Sequence, residues 1–158
     1  MKAMPFAAVL VAMSVAATIP TSWAESLPAA SNSERYVPQL ANIMTAAQLQ
    51  HLKLWSAGTA RNWPLAAYEL QQIKESLVEA ALLYRGIPVS NITTLASTIS
   101  VISEAIDRKD PDRFVKEFGE LTKGCNSCHQ SMDRAFIVLR TPAEQPFSNQ
   151  AFQPKGKP

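Results

Sequence analysis

Residues Asp110 to Arg134 read DPDRFVKEFGELTKGCNSCHQSMDR. Asp110 suits a helix cap, Pro111 suits the first helical turn, and Asp112 puts a negative charge where the helix dipole favours one. From there Phe114, Phe118, Leu121, Cys125, Cys128 and Met132 recur at spacings of three and four residues. That is the period of one buried helix face, so the stretch predicts an amphipathic helix.

The same period runs backward through the chain. Ile92, Leu95, Ile99, Ile102 and Ile106 make a stripe that Ser90 or Asn91 is expected to cap. Ala66, Leu70, Ile73, Leu77, Ala80 and Tyr84 make another, opened by Asn62-Trp63-Pro64 and stopped by Gly86 and Pro88. From about Gln39 to Arg61 a less clean stripe holds Leu40, Ile43, Met44, Ala47, Leu54 and Trp55, with His51 among them. Leu49 and Leu52 fall off it. No convincing strand pattern is present, and the connections are short. The reading is an all-α fold, an antiparallel four-helix bundle over residues 39–136. Beyond it, Pro142, Pro146, Pro154 and Pro158 predict an extended C-terminal tail over 137–158.

At the other end, Lys2 precedes an apolar, alanine-rich run from Phe6 to Thr18, then Pro20 and Ser22-Trp23-Ala24. This is the anatomy of a secretory signal peptide over 1–24, cut after Ala24, followed by a loose lead-in over 25–38. The run is shorter than the roughly 20 residues of a spanning helix, so the mature chain is expected in the periplasm without membrane insertion. Of 15 basic and 13 acidic residues, only Lys2 lies in the signal. A mature charge near +1 gives no reason to expect nucleic acid. With 47% apolar residues, 18% charged and only 5 glycines, the chain can build a core but lacks a glycine-rich nucleotide loop.

Cys125-Asn126-Ser127-Cys128-His129 is the one strong chemical motif. Residues at i, i+3 and i+4 share one side of a helix, so both thiols can face one porphyrin edge and form thioethers with its vinyl groups. The next residue, His129, can bring an imidazole over the iron. This is the attachment pattern of c-type haem, and the export signal independently supplies the compartment where attachment occurs. A structural zinc site would consume Cys125, Cys128, His129 and His51, every thiol and imidazole of the mature chain. A thioredoxin-like pair lacks its βαβ setting, and a plain disulfide leaves His129 unexplained. The expectation is one covalent haem c.

The segment Phe114 to Arg134 resembles the last helix of class II c-type cytochromes, the cytochrome c′ group. Those proteins are four-helix bundles with the attachment motif near the C-terminus. The resemblance covers the final helix and the helix order, and the first three helices by pattern alone. It implies Cys125 and Cys128 as attachment sites and His129 as the proximal iron ligand. The chain departs from the group in its tail of some 20 residues, including PFSNQAF, in the short link from the second to the third helix, and in the first-helix segment HLKLWSAGTARNW.

In that group an apolar first-helix residue commonly blocks the sixth iron position, and in low-spin relatives a first-helix methionine binds it. Here the inward face of the first helix carries Met44 and His51, so the iron ligands to consider are His129 with His51 or Met44. Met132 belongs to the proximal side. Trp55, Trp63, Tyr68 and Phe118 are expected to pack the bundle, and Arg134 and Arg140 are available for haem propionates. The function expected is electron transfer with a redox partner protein rather than catalysis. The alternative is a five-coordinate protein that binds a small gas such as nitric oxide. Peroxidase-type or reductase chemistry ranks last, since no distal donor besides His51 is evident. The resemblance also leaves a homodimer open.

Overall fold

The computed structural model describes residues 36–154. The expected signal peptide over 1–24, the expected lead-in up to residue 35 and the last four residues lie outside the described residues. Four helices follow one another in a compact unit that begins at Val37: α1 (Leu40–Thr59), α2 (Trp63–Leu83), α3 (Val89–Asp107) and α4 (Pro111–Ser131). The chain is all-α, with four helices in antiparallel adjacent pairs, consistent with a four-helix bundle. No helix among the described residues is long and apolar enough to cross a membrane.

The apolar stripes account for the core. Leu54 and Ala57 of α1, Ala66, Leu70 and Ile73 of α2, Leu95, Ile99, Ile102 and Ile106 of α3, and Phe114, Phe118 and Leu121 of α4 are buried together. Of Trp55, Trp63, Tyr68 and Phe118, the four aromatics expected to pack the bundle, Tyr68 is the exception: it is 58% exposed and lies outside the core cluster.

The caps follow local chemistry, with one correction. Asn62 and Asp110 accept from the N–H groups of Leu65 and Arg113, as short polar side chains do before a helical proline. α3 instead starts at Val89, with Pro88 at the cap and no side-chain cap bond. Neither Ser90 nor Asn91 caps it, because both already lie inside the helix. Gly86 also does not end α2, which stops at Leu83 and leaves Gly86 in the following turn, outside the left-handed region. There, the Tyr84 hydroxyl donates to Pro38 O at 2.7 Å and ties the end of α2 to the entry of α1.

Three helices end in the same left-handed turn built without glycine. Arg61, Lys109 and Asp133 have φ of 58°, 55° and 54°. The next N–H in each case returns to a carbonyl five residues back: Asn62 to Ala57, Asp110 to Ala105, and Arg134 to His129. The third of these turns reverses the chain beside the CxxCH motif.

Residues after Ser131 carry no helix or strand up to residue 154, yet they pack on the bundle. Phe152 is buried in the core cluster, Phe147 lies against it with ring centres 5.6 Å apart, and Lys53 of α1 sits over the Phe147 ring.

Candidate haem-binding site

α1 and α4 run antiparallel, and side-chain contacts fix their register. His51 meets Thr122, Trp55 meets Phe118, and Gly58 meets Phe114. Each step of four along α1 is thus a step of about four back along α4. Carried seven residues toward the N-terminus of α1, the same register brings Met44 level with His129. Gly58 shows how closely the helices approach at one end, because the Phe114 ring occupies the space a side chain would need there.

Toward the other end a cavity of about 480 Å³ opens between them, within the range of small-molecule and cofactor sites. Met44, Ala47 and His51 of α1 line it, facing Cys125, Cys128 and His129 of α4. Ile73, Leu77 and Ala80 of α2 and Ile92 and Leu95 of α3 close its floor, and Ile137 and Leu139 of the returning chain reach it from outside. The walls are mostly apolar, with a few convergent polar groups.

The two thiols and His129 come to one wall because one helical turn separates them. Neither cysteine is in a disulfide. Burial pushes the Cys125 thiol up to about 11, and Cys128 beside it adds to the shift. Burial also raises Cys128, partly opposed by a hydrogen bond from Asn91 Nδ2 to its sulfur at 3.6 Å. Thiol–disulfide enzymes need the opposite, a depressed pKa that exposes a thiolate.

His129 is held in one tautomer. Its Nδ1 lies 2.8 Å from Ile137 O. A carbonyl brings no proton, so Nδ1–H donates and Nε2 keeps the lone pair. Metal-binding histidines are commonly oriented by just such a bond on the far nitrogen. His51 is held differently. The Thr122 hydroxyl donates to Phe118 O at 2.9 Å, so its oxygen accepts from His51 Nε2–H at 2.8 Å. Burial pulls the His51 pKa down to about 4, which keeps the ring neutral, 4.4 Å from the Phe118 ring.

All five proposed site residues, Cys125, Cys128, His129, His51 and Met44, therefore line one cavity. Arg134 lines it too, whereas Arg140 does not. Sequence reasoning missed Asn91, Thr122 and the carbonyl of Ile137. Asn91 had a visible signal, since it sits one turn into α3 on the edge of the apolar stripe. Ile137 had none, because its role depends on the chain reversal. Among the described residues no three His, Cys, Asp or Glu side chains converge as a metal-ion set.

Comparison with known proteins matches the chain to no protein-family model, no curated protein and no solved structure.

Proposed function

We propose that the chain is an exported monohaem c-type cytochrome that transfers electrons in the periplasm, with haem attached through Cys125 and Cys128 and its iron bound by His129. The observation that carries this reading is the state of His129. Its Nδ1–H is engaged by Ile137 O, which leaves the Nε2 lone pair unused in that bond, and His129 lines a cavity that both cysteines also line. The donor set fits the group: two neutral thiols one turn apart, one oriented imidazole, and an apolar chamber. Haem supplies one-electron cycling between ferric and ferrous iron. The chain's part is to orient the imidazole, exclude water with Ile73, Leu77 and Leu95, and offer a second ligand.

For that second ligand the register favours Met44 over His51. Met44 is level with His129, whereas His51 lies two turns away and its Nε2–H is already committed to Thr122. Arg134 at the cavity edge suits a propionate.

Absorption spectra of the ferric and ferrous protein, made in a host that matures c-type cytochromes, test the reading. A low-spin spectrum supports the electron carrier. A high-spin ferric spectrum would overturn that version in favour of five-coordinate gas binding, and a colourless protein would overturn both.

A further inference from the structure

A CxxCH motif leaves its two middle residues open, and attachment chemistry requires nothing of them. Here the first of them, Asn126, uses both the nitrogen and the oxygen of its amide on one residue of the returning chain. Its Nδ2–H donates to Leu139 O at 3.0 Å, and its Oδ1 accepts from Leu139 N–H at 2.8 Å. Two residues before Leu139, Ile137 O accepts from His129 Nδ1–H. The segment between the end of α4 and Leu139 has no helix or strand, and its side chains Phe136 and Val138 are 79% and 65% exposed. Among the described residues, Asn126 and His129 make the only side-chain hydrogen bonds that join this return to α4.

We propose that Asn126 is a positioning residue for the iron ligand: its two-point grip on Leu139 holds the Ile137 carbonyl against His129 Nδ1–H and so presents Nε2 to the iron. The geometry stands by itself, while the consequence for iron rests on the haem reading above. Without the grip, the Ile137 carbonyl turns to water, and His129 Nδ1–H loses the partner that orients the ring and makes it a stronger donor. A weaker donor favours ferrous over ferric iron.

The test compares the full chain with Asn126→Ala, Asn126→Asp and Ser127→Ala, all made with haem-attachment machinery and labelled with ¹⁵N-histidine. Two quantities are read: the reduction potential and the solvent exchange of His129 Nδ1–H. Asn126→Ala should shift the ferrous-to-ferric ratio about tenfold toward ferrous, ~59 mV for a one-electron couple, and speed proton exchange at least as much. Asn126→Asp keeps the acceptor for Leu139 N–H but loses the donor, so it should move both quantities the same way by less. It also serves where the alanine variant does not fold. Ser127→Ala, at the exposed middle position, should change neither.

Wild-type values for both quantities in both Asn126 variants would overturn the proposal. If the wild-type chain emerges without haem, the functional reading fails. The proposal is then judged on the imidazole alone: faster exchange of Nδ1–H in the Asn126 variants than in the wild type upholds it, and unchanged exchange overturns it.

Discussion

Gly58→Ala should destabilise the bundle, although alanine is the better helix former. A Cβ at Gly58 would lie 2.6 Å from Phe114 Cε2 and nearer still to Cζ and Cε1, far inside van der Waals contact. The ring has little room to retreat. Phe114 is fully buried, with the Trp63 ring 6.1 Å away edge-on, Phe118 at 6.0 Å and Trp55 at 6.4 Å. Overpacking of this kind costs about 1–3 kcal/mol, and relief of the helical glycine returns roughly 0.5–1 kcal/mol. With three ring atoms inside 3 Å the upper half of that overpacking range applies, so the net loss should be about 1–2 kcal/mol, read as a lower midpoint in denaturant by far-ultraviolet circular dichroism with an unchanged slope. Phe114→Leu removes the ring tip, so Gly58→Ala in that background should cost less, with a coupling of about 1 kcal/mol. A Gly58→Ala protein as stable as the wild type, or equal costs in the two backgrounds, would refute the claim that this contact sets the approach of α1 and α4.

The other consequences concern the tail, a buried carboxyl and the proposed second iron ligand. Phe152→Ala should cost about 3 kcal/mol, as for other buried phenylalanines, and should expose the chain after Arg140 to limited proteolysis; an unchanged midpoint would mean the tail is not docked in solution. Glu69 is buried on α2, and burial raises its carboxyl above the ordinary range against the opposing effect of Lys53. Its stabilising contribution is therefore present below the ordinary carboxyl pKa and lost as pH rises through the native value. Glu69→Gln should flatten the fall of stability across that window, seen in melting curves from pH 4 upward, and an identical pH profile would contradict this. If the haem is low-spin as proposed, Met44→Ala should convert its spectrum to high-spin while His51→Ala leaves it low-spin; the reverse pattern would move the second ligand to His51.

The helices and their buried faces were legible because apolar spacing is a local signal. Phe114, Phe118 and Leu121, read from sequence as one stripe, are all fully buried. The start of α4 was equally plain from Asp110-Pro111-Asp112. The turns after α1, α3 and α4 were not, since Arg61, Lys109 and Asp133 take a conformation that sequence reading assigns to glycine. The tail reads as extended from its prolines, and only tertiary packing shows that Phe147 and Phe152 seal against the core. Within the site, the thiols and His129 follow from helical geometry. The Thr122 bond to His51 and the return of Ile137 join residues distant in sequence or past a chain reversal, where periodicity carries no information.

Covalent haem is the premise on which the functional account rests, and the mass of the intact denatured chain tests it most directly. Chain expressed with cytochrome-maturation machinery should keep one haem through acid–acetone extraction, show no titratable thiols, and lose the added mass when Cys125 and Cys128 are both replaced by serine. A chain of apoprotein mass with two free thiols would contradict it.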